Sequence, residues 1–127
     1  MFLEGEGDLV LSYTTSPAYH IIAEEDQTKH ALPFDEGHYM QIEVAGLVAG
    51  SDQPDLAKSF LAYLVSDAAQ SVIPTTNWMY PAVQPAAGLP AGFDGLVAPA
   101  KSRLIAPEDI PALRDTAMEE WRAALSQ

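Results

Sequence analysis

Apolar positions fall into short blocks separated by turn-forming residues, and each block has its own spacing. Leu9, Val10 and Leu11 make a compact run of strand type behind the turn Gly5-Glu6-Gly7. Asp8 to Leu11 is therefore expected to be a strand. It leads into a polar loop, Tyr13-Thr14-Thr15-Ser16. Ser16 can cap a helix, and Pro17 suits the first turn, where no N–H donor is needed. The pattern predicts a helix from Pro17 to about Glu25, with Tyr19, Ile21 and Ile22 partly buried. Tyr39, Ile42, Val44, Leu47 and Val48 predict a second strand region over His38 to Val48. Gly46 there would mark a bulge or a close backbone approach.

The middle of the chain has the clearest helical spacing. Gly50-Ser51-Asp52-Gln53-Pro54 announces a helix whose apolar face is Leu56, Phe60, Leu61, Leu64 and Val65. Ser66-Asp67 can cap a short second helix, Ala68 to about Val72, which Pro74 should stop. Residues 74–100 carry Pro74, Pro81, Pro85, Pro90 and Pro99 with Gly88, Gly92 and Gly95, and are expected to be irregular. Long irregular stretches in compact domains are often functional. A last helix is predicted from about Pro111 to Leu125. Leu113, Ala117, Met118, Trp121 and Leu125 share one face, and Trp121 has the position of a core tryptophan. Glu24 to His30 is polar and should be a solvated loop. No internal repeat is visible. Strands that lead into helices give an α/β class.

Composition narrows the partners. The 127 residues are the size of one ordinary domain, and 48% hydrophobic with 19% charged residues permits a core. The 18 acidic and 6 basic residues leave a net charge of −12. That argues against nucleic acid and against an anionic membrane surface, and is compatible with a cationic ligand. With no cysteine, disulfides, thiolate metal sites and cysteine nucleophiles are excluded. No apolar run approaches the ~20 residues that cross a bilayer. Met1 to Glu6 does not read as a signal peptide, so the signal of an exported form would lie upstream or have been removed.

Several chemistries can be weighed on spacing. His20, His30 and His38 contain no pair three or four apart, so no metal site is read. Ser12 or Ser16 with a histidine would make a hydrolytic pair, but no Gly-x-Ser-x-Gly elbow surrounds either serine. Glu24-Glu25 and Glu119-Glu120 read as a solvated loop and a helix face. Phosphate-loop and dinucleotide fingerprints are absent. A strand running into the Pro17 helix would aim several N–H groups at one spot, which favours an anion or another acceptor. A plain capped connection explains the same residues. Tyr13 and Tyr19 flank that loop. Trp78, in Asn77-Trp78-Met79-Tyr80-Pro81, stands in the Pro-rich region. It is either a hydrophobic plug or a stacking platform for a flat ligand, and aromatic faces attract cations by roughly 0.5–2 kcal/mol.

Taken together, Gly7 to His20 and Ile73 to Pro81 resemble the thiamine-binding periplasmic proteins of bacterial ABC importers. Glu36-Gly37-His38-Tyr39, Gln53 to Ala57, Leu89 to Phe93 and Glu120-Trp121-Arg122 agree in order and spacing. The loop Glu24 to Phe34 departs most from the pattern. The resemblance implies the C-terminal portion of a type II periplasmic-binding-protein fold, with 1–38 in one lobe and 39–127 forming a crossing strand and most of the other. It implies a periplasmic protein that is not an enzyme and has no cofactor or metal. Such a protein binds thiamine or its phosphate esters as transported ligand and delivers it to the importer's membrane subunits. Tyr13, Thr14, Thr15 and Ser16 match the ligand-contacting loop, and Tyr19 and Trp78 match aromatic contacts, with Asn77 and Tyr80 as neighbours. The remaining contacts would come from an N-terminal portion. Without it, uncovered apolar surface is expected to drive self-association. A small serine hydrolase using Ser12 or Ser16, and an interaction domain without a small ligand, are the alternative readings.

Overall fold

The structure, a computed structural model, describes residues 2–126. Its helices are α1 (Ser16–Ala23), α2 (Pro54–Leu64), α3 (Asp67–Gln70), α4 (Ile73–Thr76) and α5 (Ile110–Leu125). Its strands, β1 (His38–Tyr39) and β2 (Ser102–Arg103), have two residues each, and two 3-10 turns lie at Phe2–Glu4 and Ala91–Phe93. The chain divides into two compact units, one of Met1–Pro33 with Glu43–Ala98 and the other of Phe34–Ile42 with Pro99–Gln127. This grouping differs from the lobes implied above, which concern a longer, two-lobed protein.

In the first unit α1 packs against the 3-10 turn Ala91–Phe93. Pro17 and Ala18 are buried in α1, and Gly92 and Phe93 in the turn. Gly92 permits the approach, because a Cβ there would run into the Ile22 side chain. Phe93 meets Tyr80 edge-on, with ring centroids 5.5 Å apart. Helices α2, α3 and α4 follow one another in close succession. Ser66 caps α3 as expected, its Oγ accepting from the Ala69 N–H at 3.4 Å.

The irregular stretch after α4 is pinned by side chains of α3. Buried Gln70 donates from Nε2 to the Leu64 carbonyl at 2.6 Å and accepts the Val83 N–H on Oε1 at 3.0 Å. Asp67 accepts the Ala86 N–H at 2.6 Å. These bonds satisfy backbone groups that a proline-rich segment cannot pair with itself. Helix α3 ends at Gln70, short of the expected Val72, and Pro74 does not stop it: it lies in the first turn of α4 and is fully buried.

The second unit is built on a parallel pairing, His38 with Ser102 and Tyr39 with Arg103. The His38 N–H donates to the Lys101 carbonyl at 3.0 Å, and the Met40 N–H to that of Arg103 at 2.8 Å. Gly37 sits at φ +100°, and a Cβ there would approach the Lys101 carbonyl oxygen to 2.6 Å. Helix α5 begins one residue before its expected start and ends where expected, yet none of its residues is buried.

Strand content is where expectation and structure part. Asp8 to Leu11 has no ladder, and the predicted His38–Val48 strand shrinks to His38–Tyr39. Apolar character makes a segment eligible for a sheet, but a strand also needs a neighbour for its N–H and C=O groups. Among the described residues, no segment pairs with 8–11 or 41–48. Gly46 meets no close neighbour, so it marks neither a bulge nor an approach. Ser16 is the first residue of α1 and does not cap it. Thr15 holds the cap position, with no side-chain capping bond. On the apolar face of α2, Leu56, Phe60 and Val65 are exposed and Leu61 and Leu64 only half-buried, and the Trp121 side of α5 is exposed, where a core was expected.

Candidate functional site

Within the first unit, the start of α1 and the loop after α4 come together across sixty positions of sequence. The Tyr19 ring meets Trp78 edge-on, with centroids 5.2 Å apart and planes at 77°. Near them in sequence, Thr15 Oγ1 donates to Met79 Sδ at 3.8 Å, and Thr15 is only 4% exposed. Trp78 has φ +55°, a left-handed backbone that bulky residues rarely adopt. Asn77 closes α4, its N–H bonded to the Ile73 carbonyl at 2.9 Å, and its side-chain amide donates to Glu43 at 3.3 Å.

These elements border an open cleft of about 360 Å³. Tyr13, Ser16, Tyr19 and Trp78 line it, as do Leu3, Ser12, His20 and Asn77. Neither Lys nor Arg is among the lining residues. Of the six residues singled out in the sequence, Thr14 and Thr15 lie outside the lining. Thr14 is half-buried, and Thr15 is buried with its hydroxyl on Met79. Tyr80 turns to Phe93.

The start of α1 is largely closed upon itself. The Ser16 N–H donates to the Tyr13 carbonyl and the Ala18 N–H to that of Thr15, both at 3.0 Å, while Pro17 has no N–H. The Tyr13 N–H donates to Ser16 Oγ at 3.3 Å, and the Ser12 and Ser16 hydroxyls are 2.6 Å apart. The expected convergence of N–H groups on an anion is thus reduced to a pair of coupled hydroxyls. Internal partners have taken the donors of the first turn.

At the other end of α1, Glu24 receives two neighbours. His20 Nδ1 lies 2.6 Å from Glu24 Oε2, and the Tyr19 phenol feels the same carboxylate. The hydrogen bond from His20, followed by that from Tyr19, holds the Glu24 carboxyl below its ordinary range against the opposing effect of burial. Hydrogen bonding toward that carboxylate, with its charge, raises the Tyr19 phenol. Glu24 was read as part of a solvated loop. Its four-residue spacing from His20 was the signal that it shares a helix face with it. Ser16, His20 and Glu24 all lie at that spacing, but among the described residues no hydrogen bond joins Ser16 to His20. The described residues contain no group of three His, Cys, Asp or Glu placed to hold a metal ion.

Comparison with known proteins gives this geometry a context. No family model matches the chain. The thiamine-binding periplasmic protein of Salmonella typhimurium is 51% identical over all 127 residues, and that of Escherichia coli K12 is 50% identical over the same span. The chain is homologous, end to end, to thiamine-binding periplasmic proteins. A solved structure described as a periplasmic thiamin binding protein matches 99% of the chain with a TM-score of 0.84 and 51% identity. The chain therefore has the fold of part of a periplasmic binding protein. It spans 38% of the length of the Salmonella and Escherichia thiamine-binding proteins and 39% of the solved one.

Proposed function

We propose that this chain supplies one wall of a thiamine site in a periplasmic solute-binding protein of type II architecture. The protein would hand thiamine or its phosphate esters to the membrane subunits of an ABC importer. The observation that carries this reading is the Tyr19–Trp78 pair at the edge of a cleft without lysine or arginine, with Glu24 and Glu43 tied to its lining residues. Thiamine joins a flat pyrimidine to a cationic thiazolium. Aromatic faces and nearby carboxylates favour both parts. The linked hydroxyls of Ser12 and Ser16 suit the hydroxyethyl tail or its phosphate. Nothing in this role requires bond-making, in keeping with relatives named as binding proteins.

In this reading Tyr13, Thr14, Thr15, Ser16, Tyr19 and Trp78 form the ligand-binding set, with Thr15 acting through its bond to Met79. The second wall belongs to a further portion of a two-lobed protein. In its absence, the exposed faces of α2 and α5 promote self-association. The test is calorimetry with thiamine, thiamine monophosphate and thiamine pyrophosphate. It is run on the chain alone and on the chain joined to the remaining part of the Salmonella relative. Binding is expected in the joined protein and weaker binding in the chain alone. Trp78→Ala should weaken thiamine binding about tenfold, the scale of one desolvated cation–aromatic contact. No heat with any of the three ligands in the joined protein would overturn the reading.

A further inference from the structure

Glu24 is not itself among the residues that line the cleft, yet it holds His20, which is, and His20 belongs to a chain of three rings there. The Glu24 carboxylate takes the His20 Nδ1 contact at 2.6 Å. Tyr19 in turn stands edge-on to both His20 and Trp78, each at a centroid distance of 5.2 Å. The backbone holds the carboxylate in place. The Glu24 and Asp26 N–H groups both donate to the His20 carbonyl, at 3.2 and 2.9 Å, and Glu25 between them takes φ +55° to make the turn. The His20 side chain is 13% exposed, so its ring has little freedom to swing away.

The direction of the hydrogen bond has a chemical consequence. An ionised carboxylate only accepts, so the His20 proton must sit on Nδ1. A neutral His20 then carries a lone pair on Nε2, the tautomer that free histidine disfavours in water. We propose that Glu24 is a positioning residue of the cleft, holding His20 as a hydrogen-bond acceptor through Nε2 and, through the His20 ring, steadying Tyr19 against Trp78, for a ligand that presents an amine or hydroxyl donor beside a flat ring. The identity of that ligand rests on the thiamine reading, since the aminopyrimidine of thiamine has such a donor. The role of Glu24 rests on the geometry alone.

Two measurements separate these claims. Nitrogen-15 NMR of the imidazoles in the ligand-free 127-residue chain, at about pH 8, reads the tautomer. A His20→Asn variant assigns the signal. Wild type is expected to show the proton on Nδ1, and Glu24→Ala to return His20 toward the Nε2–H form. Thiamine affinity is then measured in the chain joined to the remaining part of the Salmonella relative. Glu24→Ala should weaken binding about tenfold with an unchanged melting temperature. Glu24→Gln should restore most of it, because its amide oxygen still accepts from Nδ1. If Glu24→Ala fails to fold, the tautomer of His20 in the wild-type chain carries the test by itself. An Nε2–H tautomer in wild type, or unchanged affinity in Glu24→Ala, overturns the proposal. Absence of thiamine binding in the wild-type joined protein overturns the thiamine reading, while the tautomer still decides the role of Glu24.

Discussion

Helices α1 and α5 make opposite use of the same kind of pattern. The eight residues of α1 bury Pro17 and Ala18, find the Ala91–Phe93 turn, and bring Tyr19 to Trp78. The sixteen residues of α5 form a regular helix and bury nothing, with Trp121 48% exposed and Leu125 67% exposed. Helical spacing decides that an element forms and which residues share a face. It does not decide what covers that face. For α1 the cover is a proline-rich segment seventy positions further on, held in place by Gln70 and Asp67.

This contrast can be broken or sharpened by substitution. The largest effect is expected from Phe93→Ala, which empties the packing under Tyr80 and should cost about 3 kcal/mol in urea denaturation. A cost below about 0.5 kcal/mol would show that the α1 region does not carry the stability assigned to it. Gly92→Ala should cost about 1–2 kcal/mol, because Ile22 must give way to the new methyl group. Pairing it with Ile22→Ala should recover part of that loss, which locates the cost at this contact.

A smaller effect is expected from the turn after α1. Asp26 accepts the Thr28 N–H at 2.7 Å and pairs with Lys29 at 2.9 Å. The bonds from Thr28, ahead of that from Lys29, hold its carboxyl well below the usual range. A depressed folded-state value contributes stability above the unfolded value of about 4, and the contribution is lost as pH falls through the folded value. Melting temperatures of wild type and Asp26→Asn should therefore differ most above about pH 4 and converge in stronger acid. The smallest effect belongs to α5. Trp121→Ala should change the stability of the chain by less than about 0.5 kcal/mol. A loss near 2 kcal/mol would mean that this helix is packed after all.

Much of the helical part was legible. Pro54 at the start of α2, Ser66 before α3 and the apolar spacing ending at Leu125 are local signals, and local signals place helices because helical hydrogen bonds are local. The strands were not legible, because Leu9 to Leu11 states a preference and only a partner segment makes a ladder. The site divides in the same way. Tyr13, Ser16, Tyr19 and Trp78 stand out by residue type and loop context, and the fold brings them to one cleft. The parts of Thr15 and Glu24 depend on Met79 and on the left-handed turn at Glu25, neither of which their neighbours in sequence announce.

Trp78 also has a consequence for anyone who would engineer this chain. Its φ of +55° belongs to a region where glycine and asparagine rest easily and a bulky side chain pays in strain. A procedure that ranks substitutions by folding stability alone would favour Gly or Asn at position 78. The change that relaxes the backbone deletes the indole from the cleft, so a more durable protein obtained at this position would be one stripped of the ring that faces Tyr19.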